Sequence, residues 1–140
     1  MKLGHIYWAT AAMVTLGMFA GKTFAWQGSD LDASVARGKT IYNTQCVTCH
    51  REKGEGIKDV YPPLAKSDYL MANKARSIGI VVNGATGEIT VNGAKYDGEM
   101  LSVDLPDAQV SDVLNYVRNS WGNKGEAVKP GEVAPEKKQK

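Results

Sequence analysis

Apolar residues recur at the spacing of one helix face in the last third of the chain. These positions are Val110, Val113, Leu114 and Val117, with Tyr116 adjoining them. Asp107 precedes the run, and Gly122 follows it where a helix can end. The pattern predicts a helix that begins at Asp107 and stops near Gly122.

A second apolar stripe predicts an earlier helix. Its members are Val35, Ile41 and Tyr42. Ser29 or Asp30 can cap the start of this helix. Gly38 interrupts the stripe at a cost of about 1 kcal/mol relative to alanine, and it is best tolerated where another backbone comes close. We therefore expect the two helices to cross at close range. The expected contacts join Gly38 and Tyr42 to Val113 and Tyr116.

Between these helices the pattern changes from helical to β-prone. Ser67 can cap a helix over residues 67–82. Its apolar positions are Leu70, Ile78, Val81 and Val82. Farther along, Asn92-Gly93 is a type I′ turn signal between the β-prone residues 89–91 and 95–96. The sequence therefore predicts a small hairpin before Met100.

The first 25 residues have the order of a secretory signal peptide. Lys2 and His5 form a short polar start, residues 6–20 are an apolar run, and Thr23-Phe24-Ala25 is a small-x-small cleavage site. An uncleaved membrane anchor is the alternative, but the run is shorter than the ~20 residues needed to span a bilayer. We therefore expect cleavage after Ala25, export to the periplasm, and no membrane span in the mature chain.

Composition and charge restrict the mature chain further. Residues 26–123 suffice for one small domain, whereas residues 124–140 are rich in Lys, Glu, Pro and Gly. We expect this last part to be a charged, flexible tail. The alternative is a docking tail, part of which Val128 and Val133 anchor to the domain. Without residues 1–25 the chain carries 15 basic and 15 acidic residues. This balance does not indicate a nucleic-acid or anionic-membrane partner.

Cys46-Val47-Thr48-Cys49-His50 is the C-x-x-C-H signal for covalent haem attachment. Residues i and i+3 of a helix share a face, so both sulfurs can reach one haem edge while the adjacent imidazole turns towards iron. His50 is the only histidine left once residues 1–25 are removed, which excludes a haem held by two histidines of one chain. A thioether ligand from the same chain must be Met71 or Met100.

Other chemistries also use paired cysteines. A structural zinc site takes four ligands, whereas the mature chain offers two Cys and one His. A thioredoxin-like redox pair follows a strongly apolar strand, but residues 38–45 are largely polar. A structural disulfide in an exported chain is a further alternative. The motif favours haem over all three.

Four segments together resemble the pattern of class I monohaem cytochromes c. In order, they are Cys46–His50, Tyr61–Leu64, Gly98–Met100 and Val113–Arg118. The resemblance implies an all-α fold of three to five helices around one haem c, bound covalently through two thioethers, with the hairpin placed before the distal methionine. It also implies that Cys46 and Cys49 bind the haem, that Pro62 offers its carbonyl oxygen to His50, and that His50 and Met100 ligate the iron.

Chain length also favours Met100 over Met71 as the distal ligand. Fifty residues separate Met100 from His50, enough to pass around a haem and return on its opposite face. Met71 falls inside the helix predicted over residues 67–82, where a methionine is typical of core or haem packing.

An iron with histidine on one side and methionine on the other has no open position, which suits electron transfer rather than catalysis. The resemblance thus implies a non-enzymatic periplasmic electron carrier, acting freely or as a subunit of a respiratory oxidoreductase. A narrower similarity to cytochrome domains of copper nitrite reductases and to cytochrome subunits of periplasmic dehydrogenases implies redox partners of those kinds. The alternative function is a gas-binding, gas-sensing or peroxidase-like protein in which Met100 is absent from iron or easily displaced.

Two sets of residues are candidates for partner contacts. Four lysines either favour an acidic partner or are simply scattered and solvated: Lys39, Lys53, Lys58 and Lys66. If the protein is a subunit of a larger assembly, we expect Trp121 and the C-terminal tail to make its contacts.

Overall fold

The computed structural model describes residues 26–138, and the predicted signal peptide lies outside this range. The described part contains five α-helices: α1 Trp26–Gln45, α2 Val47–His50, α3 Asp68–Ala72, α4 Lys74–Asn83 and α5 Asp107–Arg118. One antiparallel sheet pairs β1 Ala85–Val91 with β2 Ala94–Met100. Two short 3₁₀ helices follow, Pro130–Glu132 and Ala134–Glu136. Within residues 26–138 no helix has the length and apolar character needed to cross a membrane.

The crossing of α1 and α5 forms the centre of the fold, as predicted. A Cβ atom added to Gly38 would lie 1.9 Å from the Asp112 carbonyl oxygen and 2.8 Å from the Tyr116 Cβ. The rings of Tyr42 and Tyr116 pack with centroids 5.4 Å apart. Gly38 is therefore present because only a residue without a side chain allows this approach.

The ends of both helices differ from the prediction. Helix α1 runs from Trp26, the first described residue, so Ser29 and Asp30 lie inside the helix rather than at its cap. Helix α5 begins at Asp107 as predicted but ends at Arg118, four residues before Gly122. Its end is closed by the Asn119 N–H, which bonds to the Tyr116 carbonyl.

A buried polar network holds α1 against α5. Ser34 donates a 2.6 Å hydrogen bond to the Asp112 carboxylate, and Arg37 donates two more, at 2.7 and 2.8 Å. Asn115 in turn donates to the Ser34 hydroxyl at 2.8 Å. Because a buried carboxylate is costly unless it is fully bonded, this network favours one relative placement of the two helices.

The single helix predicted over residues 67–82 is two helices, so that prediction is wrong at Asn73. Ser67 does cap the first one, accepting a hydrogen bond from the Leu70 N–H at 3.2 Å. Asn73 is extended, with φ −149° and ψ 112°, and its side chain accepts from the Arg76 N–H at 2.8 Å. Asn73 therefore separates α3 from α4 and caps the second helix.

The predicted hairpin is present and is longer than expected. Asn92 and Gly93 have φ of 50° and 80°, as a type I′ turn requires. The strands extend to Ala85 and Met100, which pair with each other at the open end. Two hydrogen bonds between Asn92 and Asp68 join the turn to the start of α3.

The C-terminal segment, residues 124–138, packs on the domain, so the expectation of a flexible tail is not supported over these residues. Val128 and Val133 are fully buried, as expected if they anchor this segment to the domain. The Asn115 amide bonds to both the N–H and the carbonyl of Val128, at 2.7 and 3.0 Å. Lys74 and Glu132 form an ion pair at 2.6 Å. These side-chain and backbone bonds give an otherwise polar segment a defined position.

Candidate functional site

The Cys46–His50 motif begins where α1 ends and forms α2. Backbone bonds from Cys46 to Tyr42 and from His50 to Cys46, at 2.9 and 3.0 Å, continue the helical pattern through the motif. Helical spacing places Cys46 and Cys49 on one face, and both are partly buried free thiols. Burial raises the pKa of the Cys46 thiol to about 11. The pair is thus available for bonding to one edge of a flat ligand.

The orientation of His50 is set by a backbone carbonyl. Its Nδ1 lies 3.0 Å from the Pro62 oxygen. Since that oxygen can only accept, Nδ1 carries the proton and Nε2 presents its lone pair. Burial lowers the pKa of His50, and the hydrogen bond to Pro62 partly opposes this effect. The neutral, oriented imidazole is the form that binds a metal ion.

The loop between His50 and Pro62 is folded tightly enough to create this contact. The Gly56 N–H bonds to the His50 carbonyl at 3.0 Å. A Cβ on Gly56 would lie 2.3 Å from the Tyr61 carbonyl oxygen, and Gly56 has φ 66°. Glycine is therefore required at position 56, where the loop turns back on itself. The residue it approaches, Tyr61, directly precedes the proline that contacts His50.

The packing of Trp121 on the Tyr42–Tyr116 pair, behind the motif, is the feature that sequence reasoning missed. The rings of Tyr42, Tyr116 and Trp121 lie 5.1 to 5.4 Å apart, and the Tyr42 hydroxyl donates to the Arg51 carbonyl at 2.6 Å. A Cβ on Gly54 would meet the Trp121 ring at 2.5 Å. Trp121 is half-buried in this packing, and its role as a partner contact stays a prediction. The available sequence signal was the helical spacing from Tyr42 to Cys46, which places the Tyr42 ring beside the motif.

The two candidate methionines have different surroundings. Met100 is half-buried at the end of β2. Met71 packs against the hydrophobic core, with its Cε 3.1 Å from the position of a Cβ on Gly125. This environment fits the expected core role of Met71, because its side chain lies against the C-terminal segment.

Several apolar side chains near these elements are only half-buried although they pack on the core. They are Leu64, Val81, Val82 and Leu105. Within residues 26–138 no three His, Cys, Asp or Glu side chains come together as a metal-binding group. An oriented imidazole, two thiols on one helical face and partly open apolar surface fit haem c, which needs few protein ligands and an apolar pocket.

The proteins that this chain resembles agree with a site made of one imidazole and two thiols. The family model for cytochrome c matches residues 35–121, from α1 through Trp121. The chain belongs to the cytochrome c family, and its relatives support a class I monohaem cytochrome c with covalently attached haem c. The all-α class with one small sheet, inferred from the sequence, is thereby confirmed.

Individual relatives agree in sequence with most of the described chain. Cytochrome c-552 of Thermus thermophilus is 38% identical over 93 residues, which cover 63% of this chain and 70% of that protein. The cytochrome c subunit of a quinone alcohol dehydrogenase from Gluconacetobacter polyoxogenes is 30% identical over 105 residues, 69% of this chain and 20% of the subunit. Subunit CcoP of the cbb3-type cytochrome c oxidase of Azospirillum brasilense is 28% identical over 116 residues, 78% of this chain and 36% of that subunit. The family relation supports electron transfer as the function.

Proposed function

We propose that this protein is an exported cytochrome c that carries single electrons, with Cys46 and Cys49 bonded to haem and with His50 and Met100 as the iron ligands. The observation that carries this proposal is the 3.0 Å contact between His50 Nδ1 and the Pro62 oxygen, next to two partly buried thiols. When bound, haem c supplies a one-electron Fe(III)/Fe(II) couple. The protein's part is to attach the group, orient the ligands and exclude water.

His50 and Pro62 act together in this role. The carbonyl contact holds the ring in one tautomer and adds electron density to Nε2. Covalent bonds from Cys46, directly before α2, and from Cys49 within it would keep the group in register with that nitrogen, since His50 follows Cys49 directly. Apolar side chains such as Val81 and Leu64 disfavour the extra charge of the ferric state and so raise the reduction potential.

The proposed partner is a redox protein of an exported respiratory system. Two relatives are named as subunits of a quinone alcohol dehydrogenase and of a cbb3-type oxidase, which supports a partner of that kind. The lysines expected at a docking site are all exposed: Lys39, Lys53, Lys58 and Lys66. Export with cleavage after Ala25 stays part of the proposal, and the intact mass of the secreted protein tests it together with the presence of one haem.

Substitution of each methionine tests the ligand assignment. We expect Met100→Ala to retain haem and to lose the weak ferric sulfur-to-iron absorption band completely, because the only distal thioether is removed. Met71→Ala is the matched control and should keep the band, since Met71 packs against the core. Optical spectra of the ferric and reduced proteins make the comparison.

Three outcomes would contradict this assignment. Loss of the band in Met71→Ala alone would transfer the ligand role to Met71. A wild-type protein with no band and with high-spin spectra that shift on adding carbon monoxide would instead indicate an open iron and the gas-binding alternative. A band that survives both substitutions would exclude both residues.

A further inference from the structure

The side chain of Asn83 connects the C-terminal segment to the end of α4. Its Nδ2 donates a 2.7 Å hydrogen bond to the Glu136 carbonyl, and its Oδ1 accepts from the Lys138 N–H at 2.9 Å. Asn83 is the last residue of α4 and is half-buried. Both ends of one amide therefore bind the same backbone segment, which fixes its orientation.

The end of α4 also touches the backbone around Met100. Gly84, directly after Asn83, has φ 78°, and a Cβ there would lie 2.6 Å from the Met100 carbonyl oxygen. Ala85 pairs with Met100 across the sheet. The Val103 N–H bonds to the Val81 carbonyl at 2.9 Å. The segment that carries Met100 is thus held on both sides by the last turn of α4.

The C-terminal segment packs on α4 through its second 3₁₀ helix, Ala134–Glu136. A cleft of about 280 Å³ remains between them, lined by Lys74, Ala75, Ile78, Gly131, Pro135 and Glu136 among others. Val133 is buried in the same core cluster as Ile78 of α4, and Lys137 pairs with Asp107 of α5. At the C-terminal end of α4, Asn83 adds two side-chain hydrogen bonds to this packing.

We propose that Asn83 is a positioning residue through which the C-terminal segment holds the backbone of Met100, so that releasing the segment weakens the bond between the Met100 sulfur and iron. This inference rests on the proposed function, in which Met100 is the distal ligand. The coupling requires no contact between the segment and the haem. It passes from the backbone of residues 136–138 through the Asn83 amide to Gly84 and Met100.

The test is a titration of the ferric holoprotein with imidazole, which competes with methionine for iron. Asn83→Ala removes both hydrogen bonds, and a chain that ends at Pro135 removes their partners while keeping Val128 and Val133. We expect each change to tighten apparent imidazole binding about tenfold, the effect of losing roughly one net hydrogen bond. Because the two changes break the same link, the double variant should bind imidazole no more tightly than either one.

Lys137→Ala is the matched control, because it removes the ion pair with Asp107 and leaves the backbone partners of Asn83 in place. It should leave the imidazole titration unchanged. The proposal fails if Asn83→Ala or the shortened chain titrates like the wild type, if their effects add fully, or if Lys137→Ala has an equal effect. A wild-type protein without the sulfur band would instead overturn the Met100 assignment, and this inference with it.

Discussion

At the scale of single residues, the residues that orient a proposed iron ligand matter as much as the ligand itself. His50 is predictable from the C-x-x-C-H motif, whereas its tautomer follows from one carbonyl oxygen at residue 62. Gly56 allows the loop to bring that oxygen into place. The Pro62 contact came from the family resemblance, and the structure places those two atoms 3.0 Å apart.

Gly38 offers a direct test of the close helix crossing. We expect Gly38→Ala to lower the free energy of unfolding by about 2–3 kcal/mol, because the new Cβ would overlap the Asp112 carbonyl and force α1 and α5 apart. Gly79→Ala is the control, since the nearest atom to its Cβ would be 3.8 Å away. That substitution should raise stability by about 0.5–1 kcal/mol. Denaturant unfolding measures the free energy of unfolding of both variants. Equal effects of the two substitutions would contradict a close crossing of α1 and α5 at Gly38.

At the scale of elements, regular patterns were predictable and interruptions were not. The hairpin follows from Asn92-Gly93, because both residues tolerate the positive φ that the turn needs. The break at Asn73 does not follow from apolar spacing, because Leu70 and Ile78 fit one continuous helix equally well. The break is made by a local bond from the Arg76 N–H to the Asn73 side chain, which competes with the helix.

The cap at Asn73 has a measurable contribution. Asn73→Ala should destabilise the protein by about 1 kcal/mol, because the Arg76 N–H loses its partner at the start of α4. Asn43→Ala is the matched control, since Asn43 is exposed within α1 and alanine is the better helix former. Its effect should be neutral or slightly stabilising. Thermal and denaturant unfolding of both variants measure the difference, and a stable Asn73→Ala protein would show that α3 and α4 can join at no cost.

At the scale of the whole molecule, the C-terminal segment shows where composition misleads. Its Lys, Glu and Pro content is typical of a solvated tail. Its position depends on long-range partners, chiefly Asn115 with Val128 and Lys74 with Glu132, which no local pattern reveals. The protein therefore includes in its folded unit a segment that also reaches Asn83, next to the proposed ligand Met100.

The ion pair of this segment predicts a pH dependence of stability. The hydrogen bond from Lys74 is the main reason that the pKa of Glu132 is lowered, and the Lys129 N–H adds to it. A carboxylate whose pKa is lower in the folded state stabilises the fold at neutral pH, and this contribution disappears as pH falls through that pKa. Glu132→Gln keeps the shape and removes the charge. It should cost less than about 1 kcal/mol at pH 7, because the pair is partly exposed.

The difference between the wild type and Glu132→Gln should shrink towards zero as the pH falls through the lowered pKa of Glu132, where the wild-type carboxylate takes up its proton. Unfolding by denaturant at a series of pH values measures it. Glu52→Gln, an exposed site outside the segment, controls for the change in net charge. A difference that stayed constant with pH, or one as large in the Glu52 variant, would mean that Lys74 does not hold Glu132 in solution. The segment would then be held by its other contacts, among them buried Val128 and Val133 and the hydrogen bonds of Asn83 and Asn115.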